Sequence, residues 1–121
     1  KLHAFRVHGK LVQVIASWLR ERSACVIVSG AQSNKVTMSN MVYQGTVWGP
    51  PLWNCFFGDA RVPIELQGFV DVFYADDLNA FKKFPSATPN AEILQRCDEC
   101  QQALHKWGEA NQVTFDPAKE S

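Results

Sequence analysis

Between Lys35 and Asp59 the 121-residue chain contains no Asp, Glu, Lys or Arg. The gap is not a membrane span, because Thr37, Ser39, Asn40, Gln44, Gly45, Gly49, Pro50 and Pro51 break it with polar groups and helix breakers that a lipid-spanning helix does not tolerate. An uncharged stretch of this composition suits packing against protein or nucleic acid. Excess charge of either sign is also missing: 12 Lys plus Arg balance 12 Asp plus Glu, with a pI near 7.0. Free nucleic-acid binders draw their affinity from Lys and Arg that displace counterions, so this balance argues against that class for the chain by itself. No acid precedes Glu21. No charged leader runs into an apolar core, since residues 11–19 are interrupted by Gln13 and Ser17, and no signal peptide is visible. Repeats, low-complexity tracts and long linkers are absent too; Pro85 to Pro89 reads only as a loop.

What is present is enough for one core. A hydrophobic content of 46% over this length implies one domain or a large piece of one. Leu11, Val14, Ile15, Trp18 and Leu19 follow helical spacing, with Arg20 and Arg22 suited to the helix C-terminus. Residues 24–29 and 35–39 form a predicted hairpin around residues 30–34. Pro50 and Pro51 can open a helix through Leu52, Cys55, Phe56 and Phe57, limited by Gly58 and Pro63. Phe69, Val70, Val72, Phe73 and Tyr74 read as an interior strand, and the chain resumes after a tight turn at Leu78, Asn79, Ala80 and Phe81. Thr88 is a predicted N-cap for a helix over residues 89–110. The expected fold is α+β, in the order α-β-β-α-β-β-α-β, with an antiparallel sheet packed on helices.

Four cysteines stand at positions 25, 55, 97 and 100. Cys97 and Cys100, with His105 nearby, look like half of a zinc site. Yet Ile93, Cys97, Cys100, Leu104 and Trp107 recur at four, three, four and three residues, one apolar stripe of an amphipathic helix, so both thiols are expected to face a core. His105 lies about 140° around that helix from Cys100. Without a second Cys-x-x-Cys no zinc is expected, and nothing in the spacing forces a disulfide, which fits a reducing, intracellular compartment. His3 and His8 have no partner pattern and read as surface residues.

The most informative segment is Phe73-Tyr74-Ala75-Asp76-Asp77. Asp is a common turn residue, so an ordinary polar turn is one reading. The other is a metal site: two carboxylates crowded into a partly desolvated bend raise each other's pKa unless a cation neutralises them, and hard oxygen donors favour Mg²⁺ or Mn²⁺. Asp71 does not extend the pair. Five residues before Asp76 on the same strand, it points to the opposite face and reads as a solvated strand position.

Upstream stands Tyr43-Gln44-Gly45-Thr46-Val47-Trp48-Gly49-Pro50-Pro51-Leu52-Trp53-Asn54, and downstream stand Leu104-His105-Lys106-Trp107 and Val113-Thr114-Phe115-Asp116-Pro117-Ala118-Lys119. In this order the three segments resemble a reverse transcriptase of the non-LTR retrotransposon and group II intron type. Those enzymes carry a Gln-Gly segment leading through a Gly-Pro step into a helix, an aromatic-Ala-Asp-Asp hairpin, and an amphipathic helix with a late Trp before an Asn-Pro-x-Lys-like segment. Tyr43 departs from the usual Pro before Gln-Gly, and Asp116 from the common Asn.

The resemblance implies a polymerase palm with part of the fingers, the fingers-like hairpin at about residues 24–40 and the remainder palm-like. It implies that Asp76 and Asp77 are catalytic and metal-binding, that Gln44, Gly45 and Tyr74 contact nucleotide or template, and that Lys119 assists the leaving pyrophosphate. Mg²⁺ or Mn²⁺ would be the cofactor, and an RNA template and DNA primer the partners of the intact parent enzyme. For Gln44 and Gly45 a plainer reading stands beside it, with Gly relieving crowding before a helix and Gln satisfying a nearby backbone group. Lys82-Lys83 could touch a primer backbone or simply lie in a solvated loop.

In this family a third carboxylate stands on a strand before the region where the chain begins, and residues 1–22 look like the helix after that strand. The chain alone is therefore expected to be inactive as a polymerase. Two function classes follow: a fragment of a reverse transcriptase, or a non-catalytic descendant serving as a structural or interaction subunit of a larger assembly. Apolar surface left uncovered by the missing strand would favour a protein partner.

Overall fold

The computed structural model describes residues 1–38, 41, 42 and 45–120. Among the described residues, four α-helices and three separate two-stranded antiparallel sheets make a mixed α+β arrangement. They fall into two compact units, Lys1–Phe56 and Phe57–Ser121.

In the first unit, α1 spans Gly9–Leu19. His8, expected to be a plain surface residue, is its N-cap: the side-chain Nδ1 accepts the Lys10 amide proton at 3.3 Å. This satisfies one of the donors that a helix start leaves without an internal partner. At the other end the Arg22 Nε–H donates to the Leu19 carbonyl at 3.2 Å, the role its position suggested. Ile15 is buried, whereas Val14 on the expected apolar stripe is 57% exposed.

Four two-residue strands follow: β1 (Ser23–Ala24), β2 (Ile27–Val28), β3 (Ala31–Gln32) and β4 (Val36–Thr37). The inner ladder joins β2 to β3 and the outer joins β1 to β4. The turn is tighter than predicted, because Val28 pairs with Ala31 and only Ser29 and Gly30 lie between them. Part of the expected 30–34 loop is therefore strand. Ser33 fills the break between the ladders: its amide donates to the Val26 carbonyl and its Oγ accepts from the Val26 amide, both at 2.9 Å.

Helix α2, Gly49–Phe57, begins where the paired prolines predict. Thr46 Oγ1 accepts the Gly49 amide proton at 3.1 Å and caps the entry.

The second unit starts with a 3-10 turn, Gly58–Ala60, and a short helix absent from the predicted order, α3 (Arg61–Leu66). Pro63, read as a stop, sits instead in the first turn of α3, where a missing amide proton costs nothing. The helix ends in a Schellman cap: the Gly68 amide donates to Glu65 and the Phe69 amide to Ile64, with Gly68 left-handed at φ +73. That cap turns Phe69 back onto Ile64.

Strands β5 (Val70–Tyr74) and β6 (Asp77–Phe81) then pair in register from Val70–Phe81 to Tyr74–Asp77. The core joins Ile64, Phe69 and Cys100, with Leu78, Phe84 and Leu104 packed against it.

Helix α4 spans Asn90–Asn111, close to prediction. Its N-cap is Pro89 without a side-chain bond, not Thr88. Cys100 is buried as the stripe requires and Ile93 is half-buried, but Cys97 is exposed. The predicted final strand is not formed. Residues 113–116 have no ladder partner among the described residues and lead into a 3-10 turn, Pro117–Lys119.

Candidate metal-binding hairpin

The tip of β5–β6 is a two-residue turn, Ala75 and Asp76, closed by the Tyr74–Asp77 pair. Ala75 is left-handed at φ 55, a conformation that costs an L-residue with a Cβ roughly 1–2 kcal/mol. Strand alternation gives the hairpin two faces. Asp71, Phe73, Leu78 and Ala80 share the inner one; Val70, Val72, Tyr74, Asp77, Asn79 and Phe81 share the outer one.

Asp76 and Asp77 are both exposed. The partly desolvated bend expected from sequence is therefore not formed around them, and their pairing is one of position. Among the described residues no ion pair reaches either carboxylate. Nor do the described residues gather three or more His, Cys, Asp or Glu into a group that could hold a metal. Tyr74 is 80% exposed, on the same face as Asp77.

Asp71 is the clear correction. Asp76, against which its face was read, lies in the turn and not on the strand, and the position is not solvated: its side chain is 5% exposed and accepts a 3.0 Å hydrogen bond from Arg61 Nη2. That hydrogen bond, with the charge attraction behind it, raises the Arg61 pKa. Arg61 Nε also lies 3.7 Å from Glu65 Oε1.

Aromatic contacts hold the inner face. Phe57 meets the Phe73 and Trp107 rings edge-on at 5.4 and 5.6 Å, and the Trp107 Nε1–H donates to Asp59 Oδ1 at 3.1 Å. The late Trp of α4 thus fastens the 3-10 turn before α3. Lys82 is half-buried and structural: its Nζ donates to the Gln67 carbonyl at 2.8 Å and lies 5.0 Å from the Phe69 ring centre. Lys83 is exposed.

Tyr43 and Gln44 lie outside the described residues. Gly45 is left-handed at φ +82, and a Cβ built on it meets nothing within 4 Å. Backbone conformation, not crowding, is the reason for glycine there. Lys119 is exposed on the C-terminal 3-10 turn. The segment carrying it is fastened to α4 at two points. His105 bonds Glu120 at 2.9 Å and stacks on Phe115 with ring centres 5.6 Å apart, and the Gln101 side chain also donates to Glu120.

Sequence reasoning missed Arg61, Asp59 and Glu120 as partners. Only Asp71 left a signal, as an acid in phase with Phe69 and Phe73. No family model, no curated protein and no solved structure matches this chain.

Proposed function

We propose that the chain is the palm, with part of the fingers, of a reverse transcriptase-like protein whose parent is an RNA-directed DNA polymerase. The observation that carries this reading is the β5–β6 hairpin, which presents two adjacent exposed acids at its tip, neither in an ion pair among the described residues. It is supported by the order of the flanking segments: Gly45 and the proline-opened α2 before it, α4 with Trp107 and the Asp116-Pro117-Ala118-Lys119 segment after it.

The donor chemistry of Asp76 and Asp77 suits Mg²⁺ or Mn²⁺. In such polymerases a pair of cations about 3.5–4 Å apart activates the primer hydroxyl and stabilises the leaving pyrophosphate. Asp76 and Asp77 would supply part of that ligand set, Tyr74 would lie against the nucleotide or template on the shared face, and Lys119 would meet the pyrophosphate. Two acids from one turn do not complete that set, and the described residues gather no third around them, so the chain alone is inactive in this reading. Primer extension on an RNA template tests it: no templated synthesis by the chain, and synthesis by the parent protein that disappears in Asp76→Ala. Templated synthesis by the chain alone overturns the incomplete-site account; a parent protein that synthesises nothing overturns the polymerase reading.

A second reading, a non-catalytic reverse transcriptase-derived subunit of a larger assembly, is favoured by the exposed apolar residues of the outer hairpin face. Mn²⁺ binding separates the two. Paramagnetic broadening at Asp76 and Asp77 that is lost in Asp76→Ala supports a retained metal site, and equal binding in both proteins supports the subunit.

A further inference from the structure

We infer that Arg61 and Asp71 are a positioning pair, which selects the register and the inward face of the β5–β6 hairpin and so holds the Asp76–Asp77 tip in one orientation. Alternation offers the strand two faces: Phe69, Asp71 and Phe73, or Val70, Val72 and Tyr74. Apolar character alone favours burying the second, which carries no charge. The molecule does the reverse. Asp71 is 5% exposed at its side chain, while Val70, Val72, Tyr74 and Phe81 remain 67, 51, 80 and 57% exposed.

A carboxylate taken out of water is tolerated only where a partner meets it. Arg61 meets Asp71 at one place, 3.0 Å away, from the first turn of α3. Any pairing of β5 and β6 that slides Asp71 along the inner face buries it without that partner, and a slip by one residue removes it from Arg61 altogether. A buried ion pair is a weak source of stability, and in some proteins buried polar groups fix register instead. Phe57 on Phe73 and Phe69 on Phe84 add attraction to the inner face, but aromatic contacts tolerate sliding better than a guanidinium–carboxylate bond does.

The pairing stands whether or not a cation binds; only the Mn²⁺ arm of its test rests on the polymerase reading. In the full chain, amide NMR of Asp71→Val, which makes both strand faces apolar, is expected to show more than one set of resonances for residues 70–81. Amide exchange there should be at least tenfold faster. Arg61→Met should act in the same direction by stranding Asp71, and Arg61→Lys, which keeps the charge, should restore a single set. A single set with unchanged Asp76 and Asp77 shifts in both Asp71→Val and Arg61→Met overturns the inference. If Arg61→Met does not fold, Asp71→Val alone decides. Wild-type protein that shows no Mn²⁺ broadening while Asp71→Val is heterogeneous refutes the metal site and leaves the pair standing. Identical broadening and a single set in both proteins does the opposite.

Discussion

Gln112 occupies a place that glycine fills elsewhere in the same chain. The α3 and α4 ends carry the same hydrogen-bond pattern: Gly68 to Glu65 and Phe69 to Ile64 in one, Gln112 to Glu109 and Val113 to Gly108 in the other. Both turning residues are left-handed, at φ +73 and φ 59, but only Gly68 escapes the Cβ penalty. Gln112→Gly is expected to stabilise the protein by about 0.5–1 kcal/mol, the strain relieved less the extra freedom given to the unfolded chain, as read by urea unfolding. The two α4 cysteines differ in the opposite sense from their near-identity in sequence. Burial raises the Cys100 thiol pKa, with Cys97 adding to the effect and Lys82 opposing it, whereas Cys97 is exposed. Iodoacetamide should therefore modify Cys97 well before Cys100 in the native protein. The linked stability has a definite sign. Because the folded pKa is raised, its contribution is complete below the ordinary thiol value of about 9 and fades as pH rises through the folded value. Unfolding midpoints measured from pH 8 upward should fall, and less steeply in Cys100→Ala.

Helix α4 owes its ending to a missing side chain. A Cβ on Gly108 would come within 2.7 Å of the Val113 carbonyl oxygen and 2.9 Å of the Phe115 ring. Gly108→Ala should cost about 1–3 kcal/mol through overpacking. It should also loosen the His105–Phe115 stack, which NMR shifts of the His105 ring would report. At this scale much of the architecture was legible. The span of α4, the two paired strands at residues 70–81 and the opening of α2 at its prolines follow from periodicity and proline geometry. Helix α3 was not legible, because Pro63 signals a stop unless the chain has restarted just before it, and that restart is a tertiary event. Nor was the surrounding of Asp71, since alternation gives the two faces of a strand but not which one meets a partner. Arg61 supplies that partner from ten positions away. That Asp76 and Asp77 stand at the bend of a hairpin was legible. Their exposed setting was not, because exposure at a turn depends on what packs beside it and no local pattern encodes that.

The described residues bury few large side chains. Among the described residues the buried hydrophobics are Ile15, Phe57, Ala60, Ile64, Phe69 and Cys100. Ile64, fully buried at the centre of the second unit, should cost about 2–5 kcal/mol when cut to Ala, a large share of the stability of a domain this size. Val26, Ile27, Val28 and Val36 are each more than 60% exposed in the first unit, as are Val70 and Tyr74 in the second. Among the described residues no helix is long and apolar enough to cross a membrane. Exposed β-branched residues on short strands with open edges favour self-association. Val72→Lys, on the outer hairpin face, should lower light scattering at a given concentration while changing stability by no more than about 0.5 kcal/mol.

The outward row of Val70, Val72, Tyr74 and Phe81 also bears on how long such a molecule lasts. Chaperones and proteases act on exposed apolar strand, and a small shift in folded population changes protein abundance several-fold. A molecule that covered that row would then lengthen the chain's lifetime. The amount of chain that persists would follow the supply of its cover.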